Sequence, residues 1–343
     1  MTTGNTSNPN RVPPTMPTRT THSPLSVASE LVGADYDARV LEPSPPTVSS
    51  EPFFADDPVS ASDNRRPGTR LVVPAGMPGH LSWDAWLVDH PEHADWVASR
   101  FLGGTRRLPE TPKDLGTTRE SLHRLAAYVI APARHRANGK FGLRWTHGGF
   151  GTPFFGDDRQ VRVEGIQLVD QQGPTTRVAP ITSLRAAAEF LRSDIDTETA
   201  AEHDSPAVGD PDEPLAIDEQ AAQFLGAWYG MAFAALELLR SDDASVDPSR
   251  PQLWPGHFDP AIEVGDDDHR ASYGASPGDG GIDEPYLYAS IWWPDRISID
   301  TGDPAWNAPS FTGAVLRRSD FPTDADPVVV AASFWRSARN RLG

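Results

Sequence analysis

Apolar positions repeat with two different periods, and the period changes along the chain. From Thr117 on, Ser121, Leu122, Leu125, Ala126 and Val129 recur at helical spacing. This predicts a helix over 117–140, with Thr118 as cap, Pro132 ending or bending it, and Asn138-Gly139 turning the chain. Strand-like runs follow at 141–155, 160–170 and 176–181. In QVRVEGIQLV, Val161, Val163, Gly165 and Gln167 are expected on one face, with Arg162, Glu164, Ile166 and Leu168 on the other. Asp157-Asp158 and Gln171-Gln172-Gly173 supply turns, which makes an antiparallel meander. SLRAAAEFLRS, 183–193, closes it as a helix capped by Ser183.

The order then repeats. Ala221, Phe224, Leu225, Trp228, Tyr229, Ala232, Leu236 and Leu239 predict a helix over 217–240 that packs on a sheet. Asp218 caps it, and Asp218 and Glu219 suit its positive end. Strands are expected at 253–264, 269–275, 285–293 and 313–318, and a closing helix at 326–342. RWTHGGF (144–150) and LWPGHFD (253–259) each carry Trp, then His within three residues, then Phe. The fold class is therefore α+β: antiparallel sheets with helices packed on one side, arranged as two similar helix–meander–helix halves. Duplication and two unrelated units both fit this order.

Upstream, residues 1–66 are rich in Pro, Ser, Thr and Asp and cannot bury enough apolar surface to offset chain entropy, so a disordered tail is expected. Phe53 and Phe54 stand there among acids. Order begins at TRLVVPAG (69–76), followed by two short helices in 81–104 around Pro91, with His90 and His93 as turn residues. The expected units are the tail 1–66, a first half 67–194, an acidic linker 195–216 and a second half 217–343.

Charge and composition narrow the function classes. Thirty Lys and Arg against forty-eight Asp and Glu give a net charge of −18, a poor match to nucleic acid or anionic lipid. No apolar run approaches the roughly 20 residues of a membrane span, and the N-terminus lacks the apolar centre of a signal peptide. A cytoplasmic protein is expected. With no cysteine, disulfides, thiol catalysis and thiolate metal sites are excluded.

The segments SLH (121–123), GTPFF (151–155), VRVEG (161–165), TSLRAAAEFL (182–191), EHD (202–204), LWPGHFDPAIEVG (253–265), YGASPGD (273–279), PYLYASIWWPD (285–295) and WNAPSFTGAVL (306–316) occur in this order. Over about 117–342 the chain thereby resembles an uncharacterised, mainly actinobacterial family of unknown function. That family has no assigned activity, so the resemblance implies no catalytic residue. Its strand motif usually carries a polar residue before the histidine, where this chain has Gly256.

The candidate chemistry centres on LWPGHFDPAIEVG. Read as one strand, it puts His257 and Asp259 on one face and Phe258 on the other. A His-x-Asp pair can hold a divalent metal if a third ligand converges. His269 sits about 23 Å along the ladder and cannot complete the site. His147, from WTHGG, is the other candidate if the halves are related, for a site taking Zn, Mn or Fe. The 265–268 turn puts His257 opposite Ser276 and Asp259 opposite Gly274, within two residues. Ser276 and Asp279 of the SPGD loop then join a pocket, although His257 and Asp259 lie side by side rather than in the serial order of a hydrolase triad. Trp145, Trp254, Trp292, Trp293, Trp306, Tyr273, Tyr286 and Tyr288 lie on the strands and loops around this region. Of these Trp145, Trp254, Tyr273 and Trp306, with Asn307, are the candidate ligand contacts, because indoles beside Asp, Asn and His suit sugars or flat apolar molecules. Three readings follow: a small-molecule-binding protein with a Trp/His/Asp pocket, a metal-dependent hydrolase using His257 and Asp259, and a structural or docking protein whose polar sheet residues only pack. Catalysis, the ligand and the oligomeric state stay open.

Overall fold

The computed structural model describes residues 108–146, 148–156, 159–173, 175–240, 242–297 and 303–342. The expected tail over 1–66, the start of order at 69–76, the helices in 81–104 and His147 lie outside the described residues.

The predicted first helix runs as α1 (Leu115–Leu125), a π turn (Ala126–Ile130) and α2 (Ala131–Asn138). Pro132 does not stop it. The proline falls in the first turn of α2, where its missing N–H costs least, directly after the wider π turn. Gly139 ends the helix in the left-handed region at φ 73°. Thr118 lies inside α1 rather than at its cap. Its hydroxyl instead accepts from the Asp218 amide at 2.9 Å, tying the two halves together.

Two antiparallel five-stranded meanders follow, each between helices. The first is β1 (Arg144–Thr146), β2 (Gly149–Gly151), β3 (Arg159–Glu164), β4 (Gln167–Gln172) and β5 (Thr175–Pro180). It leads into α3 (Leu184–Leu191), where Ser183 accepts from the Ala186 amide as expected, and α4 (Thr197–Ala201). The central helix α5 (Glu219–Arg240) has Asp218 bonded to the Ala221 amide. The second meander is β6 (Gln252–Trp254), β7 (Asp259–Val264), β8 (Ala271–Ser276), β9 (Tyr286–Ile291) and β10 (Gly313–Arg317), closed by α6 (Pro327–Asn340).

Three runs expected as single strands are hairpins. Residues 141–155 form two strands, with Trp145 paired to Phe150 and Thr146 to Gly149. Residues 160–170 fold at Gly165-Ile166, which puts Leu168 opposite Val163 rather than on the Arg162 face. Residues 253–264 fold at Pro255–Phe258, with Trp254 paired to Asp259.

The halves share one core. Leu143 and Leu253 exchange reciprocal backbone hydrogen bonds of 2.9 Å, joining the sheets at their first strands. α5 packs on β1 and β2 of one sheet and β7 and β8 of the other. Gly226 permits this approach, because a Cβ there would lie 3.2 Å from the Gly148 carbonyl oxygen and the Gly149 Cα. By length and composition α5 could cross a membrane, against the expectation that no run comes close; here 16 of its 22 residues are buried inside the fold.

A cleft on the outer face of the second sheet

Strand parity gives the second sheet two faces. Ile262, Tyr273, Ala289 and Ala314 lie in register and are buried with Val264, Ala275, Leu287 and Leu316 in the main core. Trp228 of α5 and Trp335 of α6 hold this side by donating to the carbonyls of Ala275 and Tyr288. The opposite face carries Asp259, Glu263, Ser272, Ser276, Tyr286, Tyr288 and Ser290. These residues floor a cleft of about 910 Å³. Arg119 and His123 of α1 form one wall, the SPGDG loop (276–280) lies alongside, and Trp254, Trp292 and Trp293 stand at the rim.

The Pro255–Phe258 turn is built by three elements. Phe258 adopts φ 57°, which costs a bulky residue about 1–3 kcal/mol. Its fully buried ring offsets that strain. It stacks on His123 at 5.1 Å and meets Phe150 and Tyr229 edge-on at 5.0 and 5.5 Å. Tyr229 donates to the Phe258 carbonyl at 2.9 Å, and Phe258 N–H to Trp254 O at 2.7 Å. His123 Nε2 lies 2.8 Å from Pro255 O and 3.0 Å from Gly256 O. Both partners are acceptors, so Nε2 carries the proton. Burial pushes the His123 pKa down to about 4 and outweighs the two carbonyls that favour the cation. Gly256 has a steric role: a Cβ there would run into the carbonyl oxygen of His203.

The His257–Asp259 pair is therefore not a strand pair. His257 belongs to the turn and is exposed, while Asp259 opens β7 and is only 5 % exposed. Both still line the cleft. Asp259 Oδ2 accepts from the Tyr288 hydroxyl at 2.5 Å, and Oδ1, equally buried, has no hydrogen-bond partner among the described residues. Burial raises the Asp259 pKa above the ordinary carboxylate range. The Tyr288 hydroxyl, His257 and its own amide oppose this shift, and the Asp279 charge adds to it.

Asp279 is the reverse case. Burial works to raise its pKa but is outweighed. Oδ2 accepts from Tyr286 at 2.5 Å, Oδ1 accepts from the Gly281 and Ile282 amides, and Arg119 adds its charge, so the carboxyl sits below its usual range. Its oxygens are spent on shaping the loop. Ser276 Oγ likewise accepts from the Gly278 amide at 3.2 Å. The register puts Ser276 opposite Asp259, two residues from the expected pairing, because β8 begins at Ala271 opposite Val264.

Other expected contacts lie elsewhere. Trp145 is on β1 in the core, 1 % exposed. Tyr273 has the helix-side parity of its strand. Trp306, expected as an exposed contact, is buried in the core, and Asn307 spends both amide atoms on the backbone of Val315, capping the edge strand β10. His269 is bonded to Asp266 in the far turn. Among the described residues no three His, Asp or Glu side chains are placed to hold a metal ion.

Sequence reasoning does not single out Arg119 or His123, and it names Tyr288 only among the aromatics of the region. The histidine appears only as the last letter of SLH, and its turn partners lie 132 and 133 residues away, so spacing carries no signal for it. The place of Tyr288 on the cleft floor follows from the parity of β9. No protein-family model, curated protein or solved structure matches this chain.

Proposed function

We propose that this is a small-molecule-binding protein whose ligand enters the cleft on the outer face of the second sheet. The observation that carries the reading is Asp259, a carboxyl at the cleft floor with one buried oxygen left without a partner. Such an atom costs about 1–3 kcal/mol, and a ligand donor would relieve that cost. The rim supports the same reading. Trp254, Trp292 and Trp293, at 39, 39 and 44 % exposure, are the exposed tryptophans among the described residues, and all three border this cleft. Clustered exposed indoles are a feature of ligand sites more than of free surface. A cytoplasmic location goes with this proposal, as a cysteine-free chain suits a reducing compartment.

A thermal-shift screen of small metabolites tests it. A binder is expected to raise the melting temperature of the wild type and quench its tryptophan fluorescence, and both effects should shrink in Trp292→Ala and Asp259→Asn. Hits that stabilise both variants as well as the wild type would count against the cleft. Stoichiometric zinc, manganese or iron bound by the purified protein and lost in Asp259→Asn would favour the metal-dependent hydrolase reading instead.

A further inference from the structure

We infer that the ligand of this cleft is an organic ammonium: a protonated amine carried on a flat apolar body. The inference rests on the proposed binding role of the cleft and adds the chemical class.

Three observations carry it. First, the unpartnered Asp259 Oδ1 is an acceptor when the carboxyl is ionised, and among the described residues no arginine or lysine pairs with it; the exposed His257 imidazole is the group whose charge favours its ionised form. Arg119, the arginine lining the cleft, already donates to the Asp283 carbonyl at 3.2 Å and lies 3.7 Å from its carboxylate. The His123 imidazole spends its Nε2 proton on the Pro255 and Gly256 carbonyls. Second, Glu120, Glu263 and Asp279 line the same cleft, within a chain of net charge −18. Glu263 has Arg270 at 3.5 Å, and Asp279 is hydrogen-bonded by neutral donors with the Arg119 charge acting on it from nearby. This field attracts cations and repels carboxylate or phosphate ligands. Third, the rim indoles offer the π surface that stabilises ammonium groups. Two of them already hold cations: the Arg270 guanidinium lies 5.7 Å from the Trp292 ring and that of Arg296 lies 4.7 Å from Trp293. The ammonium must retain at least one N–H, because Oδ1 needs a donor; a quaternary ammonium would leave it unpaired.

Matched amine and alcohol probes test the class. Tryptamine and tryptophol, and phenethylamine and 2-phenylethanol, differ chiefly in the ammonium. Calorimetry on the full chain at neutral pH should show each amine binding more tightly than its alcohol by about tenfold to a hundredfold, the worth of a charge-assisted hydrogen bond. Asp259→Asn should remove that preference, weakening amine binding far more than alcohol binding. Trp292→Ala should weaken amine and alcohol alike. Equal affinity of amine and alcohol, or tighter alcohol binding, would overturn the ammonium and leave the cleft as a site for neutral ligands. Amine preference that persists in Asp259→Asn would overturn it too. If no probe binds at millimolar concentration, the inference fails; neutral hits from the metabolite screen would then show that the cleft reading survives it.

Discussion

At the scale of single residues, two buried titratable groups in the cleft wall and floor carry opposite pH signatures. The folded pKa of Asp259 is raised, so the folded chain holds its proton more tightly than the unfolded chain does. Its contribution is present below the ordinary carboxylate pKa and is lost as pH rises through the folded value. The charged and titratable groups around it are His257, Tyr288, Asp279, Tyr229 and Tyr286. Asp259→Asn keeps an acceptor for Tyr288 and cannot ionise. Chemical denaturation at several pH values should therefore show the variant gaining on the wild type from acid toward neutral pH. His123 has the other sign. Its folded pKa of about 4 lies below the ordinary histidine value of 6.5, so its contribution is present above 6.5 and is lost as pH falls toward 4. The full span is worth about 3 kcal/mol at most. His123→Gln retains a donor for the turn carbonyls, and its acid-unfolding midpoint, followed by circular dichroism, should fall below that of the wild type. Neither behaviour was legible in the sequence, because burial, not residue type, sets both. Asp259 was legible as a candidate; that His257 stands apart from it in a turn was not.

At the scale of elements, helices read well and strands read too long. Periods of 3.6 over 117–140 and 217–240 located the long helices, and Ser183 and Asp218 cap where capping chemistry put them. The strand runs failed where a short turn lacked a strong marker. Gly165-Ile166 and the Pro255–Phe258 turn interrupt apolar alternation without ending it, so a hairpin imitates one long strand. Each such error moves side chains to another face, as it did Leu168, which pairs with Val163. The Pro255–Phe258 turn also gives a test. Gly256→Ala puts a methyl group against the His203 carbonyl, where the 202–204 backbone must shift. The expected cost is about 1–3 kcal/mol, read as a lower denaturation midpoint, with weaker binding of any cleft ligand. An unchanged midpoint would mean that the 203 loop moves freely.

At the scale of the whole molecule, the two halves form one body. The helix–meander–helix order seen in the sequence is repeated in the two five-stranded sheets, and the reciprocal Leu143–Leu253 bridge joins them edge to edge. The sequence could not show that a single core spans both, since that depends on α5 lying against each sheet. Residues 217–343 alone would leave the first-sheet side of α5 uncovered. They are expected to stay largely unfolded, whereas the full chain should unfold in one transition by circular dichroism and tryptophan fluorescence. Two separated transitions would contradict a shared core. The cleft itself is a product of this assembly: α1 comes from the first half, the sheet from the second, and His123 holds the turn between them.

The most direct test of the proposed cleft is a nitrogen-15 spectrum of the tryptophan indole N–H groups, recorded with and without tryptamine. The indole signals of Trp254, Trp292 and Trp293 should shift on addition. Those of Trp228 and Trp335, whose N–H groups are tied to the carbonyls of Ala275 and Tyr288 on the helix side, should stay in place. Shifts confined to the buried indoles, or no shift at any rim tryptophan at millimolar tryptamine, would contradict binding of this ligand class at the outer face of the second sheet.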